Sequence, residues 1–412
     1  MLLRDYQQRA LSMLLEAGRE RPIIAMPVGS GKTVVFSTMV RMALERKRKR
    51  SLIIAHRREL ILQARDRLAA QGVAAGIIMS GEAATDHPVQ VASIQTLIRR
   101  DLPPAEIVVL DEAHHVPSDS YQGVIEHYRD AGAWITGWTA TPFRLDGKGL
   151  APTFTTILVP TTCRALCDTG VLVEPLVYAP PGPDLKGVKT VAGDYHEGQL
   201  LERMSNLTGD IIAHWKQHAA GKRTVAFTVN VKHSILLRDQ FVAAGVAAEH
   251  LDGTTDHAER DAVLQRLADG EIDVLCNCMI LGEGWDLPSL EVAVLARPTK
   301  SLCLHLQQIG RIMRCAPEKD GALVLDHAGN HHRHGLVTDP IDYSLEETVK
   351  KDPEERPFKT CKACYALIPI DADICPECGA VCEKKPRRDI EHDETKALEK
   401  YDPVERREVY RD

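Results

Sequence analysis

Several groups of residues in this chain have the types and spacing to do chemistry. The first is Met26-Pro27-Val28-Gly29-Ser30-Gly31-Lys32-Thr33. Glycines let a backbone wrap a phosphate with no Cβ in the way. A helix beginning at the loop's end offers free N–H groups and a positive dipole end to the anion. Lys32 would reach the β- and γ-phosphates, and the Thr33 hydroxyl would hold Mg²⁺. Met26 stands where the common form of this loop has a glycine. Upstream, Arg4-Asp5-Tyr6-Gln7 could clamp adenine, with Gln7 on the base edge and Arg4 or Tyr6 stacked on the ring.

Asp111-Glu112-Ala113-His114 supplies a second pair of reacting groups. An Asp at a strand end can hold Mg²⁺ through water, and the Glu beside it can act as general base on an attacking water. Gln307-Gln308-Ile309-Gly310-Arg311-Ile312-Met313-Arg314 is a third group. On a helix from Ser301 to Arg314, Arg311 and Arg314 share a face and could reach across a cleft to a γ-phosphate. At the carboxyl end, Cys361-x₂-Cys364-x₁₀-Cys375-Pro-Glu-Cys378 has the spacing of two knuckles that close one tetrahedral Zn²⁺ site. Cys382 is a poorer ligand by position. His331, His332 and His334 have no fixed ligand spacing and read as a solvated loop. Cys163 and Cys167 read as buried thiols on a helix, and Arg46 to Arg50 as a solvated helix end.

The elements that must hold these residues alternate. Pro22 to Ala25, Ser51 to Ala55, Val89 to Ser93, Ile107 to Leu110 and Ala133 to Trp138 are short apolar runs with helical patterns between them. That predicts a parallel sheet covered on both faces, with Lys32, Asp111, Glu112 and Thr139 at the carboxyl ends of strands where ligands collect. A second alternating series runs from about Gly209 to Leu325 and has no phosphate loop. The expected organisation is α/β: a first RecA-like lobe over 1–150, a linker region and second RecA-like lobe over 151–345, a zinc ribbon over 355–382, and a charged tail over 383–412 with Lys384-Lys385-Pro386-Arg387-Arg388. Ala179-Pro180-Pro181-Gly182-Pro183 reads as an exposed turn or linker.

Bulk properties narrow the class. The chain has 412 residues, 44% hydrophobic and 26% charged, as in a globular protein of two or three domains. No apolar run is long enough to span a membrane, and the N-terminus has no signal-peptide core, so the expected location is cytoplasmic. A net charge of −7 excludes reliance on global positive charge for nucleic-acid binding but leaves room for a local basic cleft. The eleven cysteines fit metal ligands plus buried thiols better than a disulfide framework.

Taken in order, the phosphate loop, Asp-Glu-Ala-His, Thr139-Ala140-Thr141 and Gln-x-x-Gly-Arg-x-x-Arg resemble a superfamily 2 helicase of the DEAH type over roughly residues 2 to 335. Ala296-Arg297-Pro298-Thr299-Lys300-Ser301 and Asp326-His327-Ala328-Gly329-Asn330 look most like RadD-type DNA repair helicases and their phage-borne relatives. The resemblance implies ATP between two lobes and nucleic acid across both. It implies that His114, Thr139, Thr141 and Gln307 couple hydrolysis to lobe movement, and that Gly284 and Asp286 belong to the nucleotide site. It implies that His56 to Leu60, Ser93 to Thr96 and Gly253-Thr254 line the nucleic-acid path. Gly282 stands where relatives often have threonine. The expected activity is ATP-driven movement on, or unwinding of, single-stranded, forked or branched DNA. RNA, or branched DNA remodelled without unwinding, are the alternatives. A protein partner could dock on the ribbon or the tail.

Overall fold

The computed structural model describes residues 2–116, 118–142, 149–191, 193–205, 208–280, 287–346 and 358–382. Gly282, Gly284, Asp286 and the charged tail therefore lie outside the described residues.

The first lobe runs α1 (Asp5–Glu16), β1 (Pro22–Ala25), α2 (Lys32–Lys47), β2 (Ser51–Ala55), α3 (Arg58–Ala69), β3 (Gly76–Ile78), β4 (Val89–Ser93), α4 (Ile94–Leu97), β5 (Ile107–Asp111), α5 (Asp119–Asp130), β6 (Trp134–Thr139) and β7 (Thr156–Leu158). Its seven strands are parallel, in the order β3-β4-β2-β5-β6-β1-β7. The strands are continuously apolar because both faces are covered. On one face Val35, Phe36 and Met39 of α2 pack with Leu14 of α1 against Ile24, Ile53 and Trp138. On the other, Val124, Ile125 and Tyr128 of α5 cover Ile23, Leu110 and Ile135. Each fully buried aliphatic or aromatic side chain stabilises the lobe by about 1.5–3 kcal/mol. β7 follows residue 150 yet pairs with β1, so the first sheet continues to Leu158.

The second lobe contains α6 (Cys163–Asp168), β8 (Pro175–Tyr178), a hairpin of β9 (Thr190–Val191) and β10 (Asp194–Tyr195), α7 (Glu197–Ser205), α8 (Thr208–His218), β11 (Thr224–Thr228), α9 (Val231–Ala243), β12 (Ala248–Leu251), α10 (His257–Asp269), β13 (Val274–Asn277), β14 (Val292–Ala296), α11 (Leu302–Gly310), β15 (Ala322–Asp326) and α12 (Asn330–His334). Six of its strands form a parallel sheet, β12-β13-β11-β14-β15-β8, with a core on each face. β16 (Phe358–Thr360) and β17 (Leu367–Pro369) pair antiparallel at the carboxyl end.

Three local expectations change. The helix expected from Ser301 to Arg314 ends at Gly310. Beyond it strand-like pairing wins: the Val173 N–H donates to Met313 O at 2.7 Å, and Leu172 and Arg314 form an antiparallel bridge. Arg311 is the helix cap and Arg314 lies past it, so they do not share a helix face. The histidine run is α12 rather than a solvated loop. His331 is fully buried because Asp326, also fully buried, requires a partner; His331 Nδ1 lies 2.9 Å from its Oδ2. Finally, Ala179 and Pro180 are buried, although the rest of that Pro-rich stretch is largely exposed.

Candidate functional site

Strand register places the first lobe's reacting groups side by side. Ala25 pairs with Thr139, and Asp111 with Trp138, so the phosphate loop, Thr139 and Asp111 leave the sheet together at its carboxyl edge. Gly29 and Gly31 both have φ of 81°, and Gly31 is the left-handed cap from which α2 starts at Lys32. A Cβ on Gly31 would lie 2.8 Å from Gln7 Nε2. Gln7 is buried there, donating to Ser30 O at 3.1 Å, and Tyr6 OH donates to the same carbonyl at 2.8 Å. Gln7 Oε1 accepts from the Arg4 backbone N–H at 3.1 Å. The Gln7 amide keeps one N–H and one lone pair beyond these bonds, enough to tie an adenine edge to the loop. Arg4 itself is exposed beside Tyr6.

Asp111 is buried at the end of β5, and the backbone turns sharply after it, with Glu112 at φ 47°. The Glu112 N–H donates to Asp111 Oδ1 at 3.0 Å. Glu112 Oε2 is buried without a hydrogen-bond partner, 3.5 Å from His114 Nδ1. Burial pushes the Asp111 carboxyl up and the neighbouring Glu112 adds to this, while Lys32 opposes it. A buried carboxyl beside a half-buried one with an unsatisfied oxygen, near a lysine, fits a divalent cation: its charge would relieve what burial and mutual repulsion cost.

His114 is joined to Thr139 and Thr141. The Thr139 hydroxyl donates to Thr141 O and accepts from the Thr141 N–H, both at 3.0 Å. Its one proton is then committed, so His114 Nδ1, also 3.0 Å away, must carry the hydrogen of that contact. The opposite ring nitrogen is left facing Cys303 Sγ of α11 at 3.8 Å, and the Thr141 hydroxyl lies 2.8 Å from the same sulfur. The Asp-Glu-Ala-His segment and Thr-Ala-Thr thus meet the second lobe at one side chain. Cys303 belongs to none of the sequence motifs, and its role depends wholly on how the lobes close.

Other contacts bring the second lobe onto the phosphate loop. A Cβ on Gly310 would lie 2.5 Å from Val28 Cβ. A Cβ on Gly29 would lie 3.1 Å from Leu172 Cδ2 and 3.4 Å from Arg314 Cγ. Arg314 is therefore beside the loop, and burial lowers its guanidinium to about 10, still charged at neutral pH. Gln307 and Arg311 are buried on and at the end of α11. Farther along the cleft, Arg260 pairs with Glu59 at 3.0 Å, and Arg57 donates to Ile280 O at 3.4 Å.

The four cysteines form a separate site. The ligand atoms of Cys361, Cys364, Cys375 and Cys378 all lie within 4.8 Å of one another. The Cys361–Cys378 and Cys364–Cys375 sulfurs are 3.8 and 3.7 Å apart. Zn–S bonds of about 2.3 Å give a tetrahedral edge of about 3.8 Å, so the donor set fits Zn²⁺. Cys382 Sγ contacts Ala380 O at 3.6 Å instead. The module is docked on the second lobe: the Ala179 N–H donates to Tyr365 O at 2.8 Å, and Tyr178 bridges Ala366.

A Gly-Lys-Thr loop in one parallel-sheet lobe, with Arg314 of a second lobe beside it, is the layout of a two-lobed nucleotide-binding protein. Residues 1–144 match the family described as the type III restriction enzyme res subunit, and residues 203–316 match the helicase conserved C-terminal domain. A 51.5 kDa protein of a Lactococcus phage is 32% identical over 87% of this chain and 77% of its own length. A Saccharomyces cerevisiae protein provisionally named ATP-dependent helicase IRC3 is 32% identical over 80% of this chain, which spans 52% of that protein. The DNA 3'-5' translocase XPB2 of Sulfurisphaera tokodaii is 24% identical over 78% of this chain and 80% of its own. Among solved structures, a fragment of a protein provisionally assigned as a type I restriction enzyme HsdR subunit from Vibrio vulnificus shares the fold, with a TM-score of 0.61 at 20% identity over 80% of this chain and 64% of that one. The chain belongs to the superfamily 2 helicases and translocases, an ATP-using family. No helix among the described residues is long and apolar enough to cross a membrane.

Proposed function

We propose that this chain is a DNA-dependent ATPase that moves along DNA or unwinds it. One observation carries the reading: Arg314 and Gly310 of the second lobe are seated on Gly29 and Val28 of the first lobe's loop, which supports a nucleotide held by both lobes together. ATP would lie between them. Arg4 and Gln7 bind the adenine end. Gly29, Ser30, Gly31 and Lys32 bind the phosphates, and Gly284 and Asp286 are assigned to the same site from the sequence pattern. Thr33 and Asp111 would hold Mg²⁺, which neutralises phosphate charge when bound. Glu112, with an unsatisfied buried oxygen, takes the proton from the attacking water. Arg311 and Arg314 stabilise charge on the transferred phosphoryl group. His114, Thr139, Thr141 and Gln307 pass the nucleotide's state between lobes, and alternate opening and closing shifts the lobes' grips on a sugar-phosphate backbone.

DNA is favoured over RNA because XPB2 carries DNA in its name. That name also says translocase, which supports movement without strand separation as a second reading. The test is ATPase rate against single-stranded, duplex, forked and four-way DNA and against RNA. Stimulation by DNA and not RNA is expected, and equal or greater stimulation by RNA would overturn the DNA assignment. Strand displacement from forked DNA separates a helicase from a translocase.

A further inference from the structure

Arg314 stands beside the phosphate loop without a helix to hold it, since α11 stops at Gly310. Two other devices fix the segment. On one side it pairs with the chain arriving from the first lobe, through the Leu172–Arg314 bridge and the bond from the Val173 N–H to Met313 O. On the other side is Lys319. Its ammonium donates to Arg314 O at 2.9 Å and also to Ile312 O. These carbonyls follow the end of a helix, where a cation complements the exposed oxygens and the negative dipole end.

We propose that Lys319 is a positioning residue that holds the Arg311–Arg314 segment so that Arg314 faces the nucleotide bound at Gly29 to Thr33. The inference rests on the reading of Arg314 as a phosphoryl-stabilising arginine. Lys319 is half-buried, and that burial lowers its ammonium to about 8. A buried cation is costly unless its hydrogens are used, and here they meet two main-chain oxygens of one turn. A lysine that served solubility alone would extend into water. Leu172, Arg314 and Gly29 meet as one contact, so the loop after α11 must be rigid for that contact to aim a guanidinium.

The experiment is a double-mutant cycle on the full-length protein, measuring nucleic-acid-stimulated ATP hydrolysis, ATP KM and DNA affinity. Lys319→Met should lower kcat by about 10- to 100-fold, the scale expected when a reacting group is displaced by roughly an ångström. KM and DNA affinity should change far less, and Lys319→Arg should restore most of the rate. In an Arg314→Ala background, Lys319→Met should cost nothing further, because it acts through Arg314. An undiminished rate in Lys319→Met, or an equal loss with and without Arg314, would overturn the proposal. A fully active Arg314→Ala would instead overturn the reading of Arg314 on which it rests. If Lys319→Met does not fold, Lys319→Gln, which keeps two N–H donors without the charge, goes through the same cycle. A loss independent of Arg314 in that variant counts against the proposal.

Discussion

At the scale of single residues, Glu112 is held in a state suited to one task. Its backbone sits at φ 47°, a conformation that costs about 1–3 kcal/mol for a residue with a side chain. One carboxylate oxygen is buried without a hydrogen-bond partner. His114 Nδ1, 3.5 Å away, is too distant to satisfy that oxygen with a hydrogen bond, which leaves it able to accept a proton from a bound water. Glu112→Gln should retain ATP binding and lose roughly 10²- to 10⁴-fold in hydrolysis, the range for removing a general base. Nucleotide-binding titration with turnover measurement checks this, and undiminished turnover would refute the assignment. The residue types at this site were legible in the sequence because phosphate and metal chemistry demands glycine, lysine, hydroxyl and carboxylate at short spacing. Cys303 was not legible, since nothing about a thiol at that position announces that Thr141 and His114 will meet it.

At the scale of elements, the end of α11 and the four-cysteine module each depend on a neighbour. Gly310 has no space for a side chain: a Cβ there would lie 2.5 Å from Val28 Cβ and 2.7 Å from its Cγ1. Gly310→Ala should leave each lobe folded but hold them apart by about 1 Å, lowering kcat by on the order of 100-fold. Val28→Gly in the same chain should restore much of it. Small-angle scattering with a nucleotide analogue and ATPase rates read the outcome; an unchanged rate in Gly310→Ala would show that this contact does not limit closure. The ribbon has a core of only a few residues, including Cys361, Ala366, Ile368 and Cys375, too small to hold it without a metal. Chelation should release one equivalent of zinc, unfold residues 358–382 and raise hydrogen exchange in β8, whose Tyr178 bridges Ala366. A metal-free protein with that region still protected would refute the zinc assignment.

At the scale of the whole molecule, the two lobes differ in how acid should affect them. The second lobe buries His233 and His327 and half-buries His334, and burial lowers these imidazoles to about 4, 3 and 4; His305 is also held well below its ordinary value. Unfolded, they would titrate near about 6.5. Between those values the unfolded chain binds more protons than the folded one, so stability falls as pH drops from about 6.5 towards 4. Hydrogen exchange at about pH 7.5 and about pH 5 should show the second lobe loosening before the first. Equal loss in both lobes, or none, would contradict this. The histidine run was misread from the sequence as a loop because its spacing shows no period. The burial of Asp326, which draws in His331, is a fact of the folded core.

The alternation of short apolar runs with helical patterns determined two parallel-sheet lobes, since such strands are stable only when helices cover both faces. The local motifs likewise determined which loop glycines, carboxyls and cysteines group together, because each group is built from residues close in the chain. Tertiary structure alone decided what lies opposite the phosphate loop. Strand pairing with Leu172 and Val173 ended α11 at Gly310, β7 joined the first sheet, and the ribbon docked on β8. Those outcomes turn on contacts between segments far apart in sequence, where the free energy of packing and of satisfying buried polar groups outweighs local propensity.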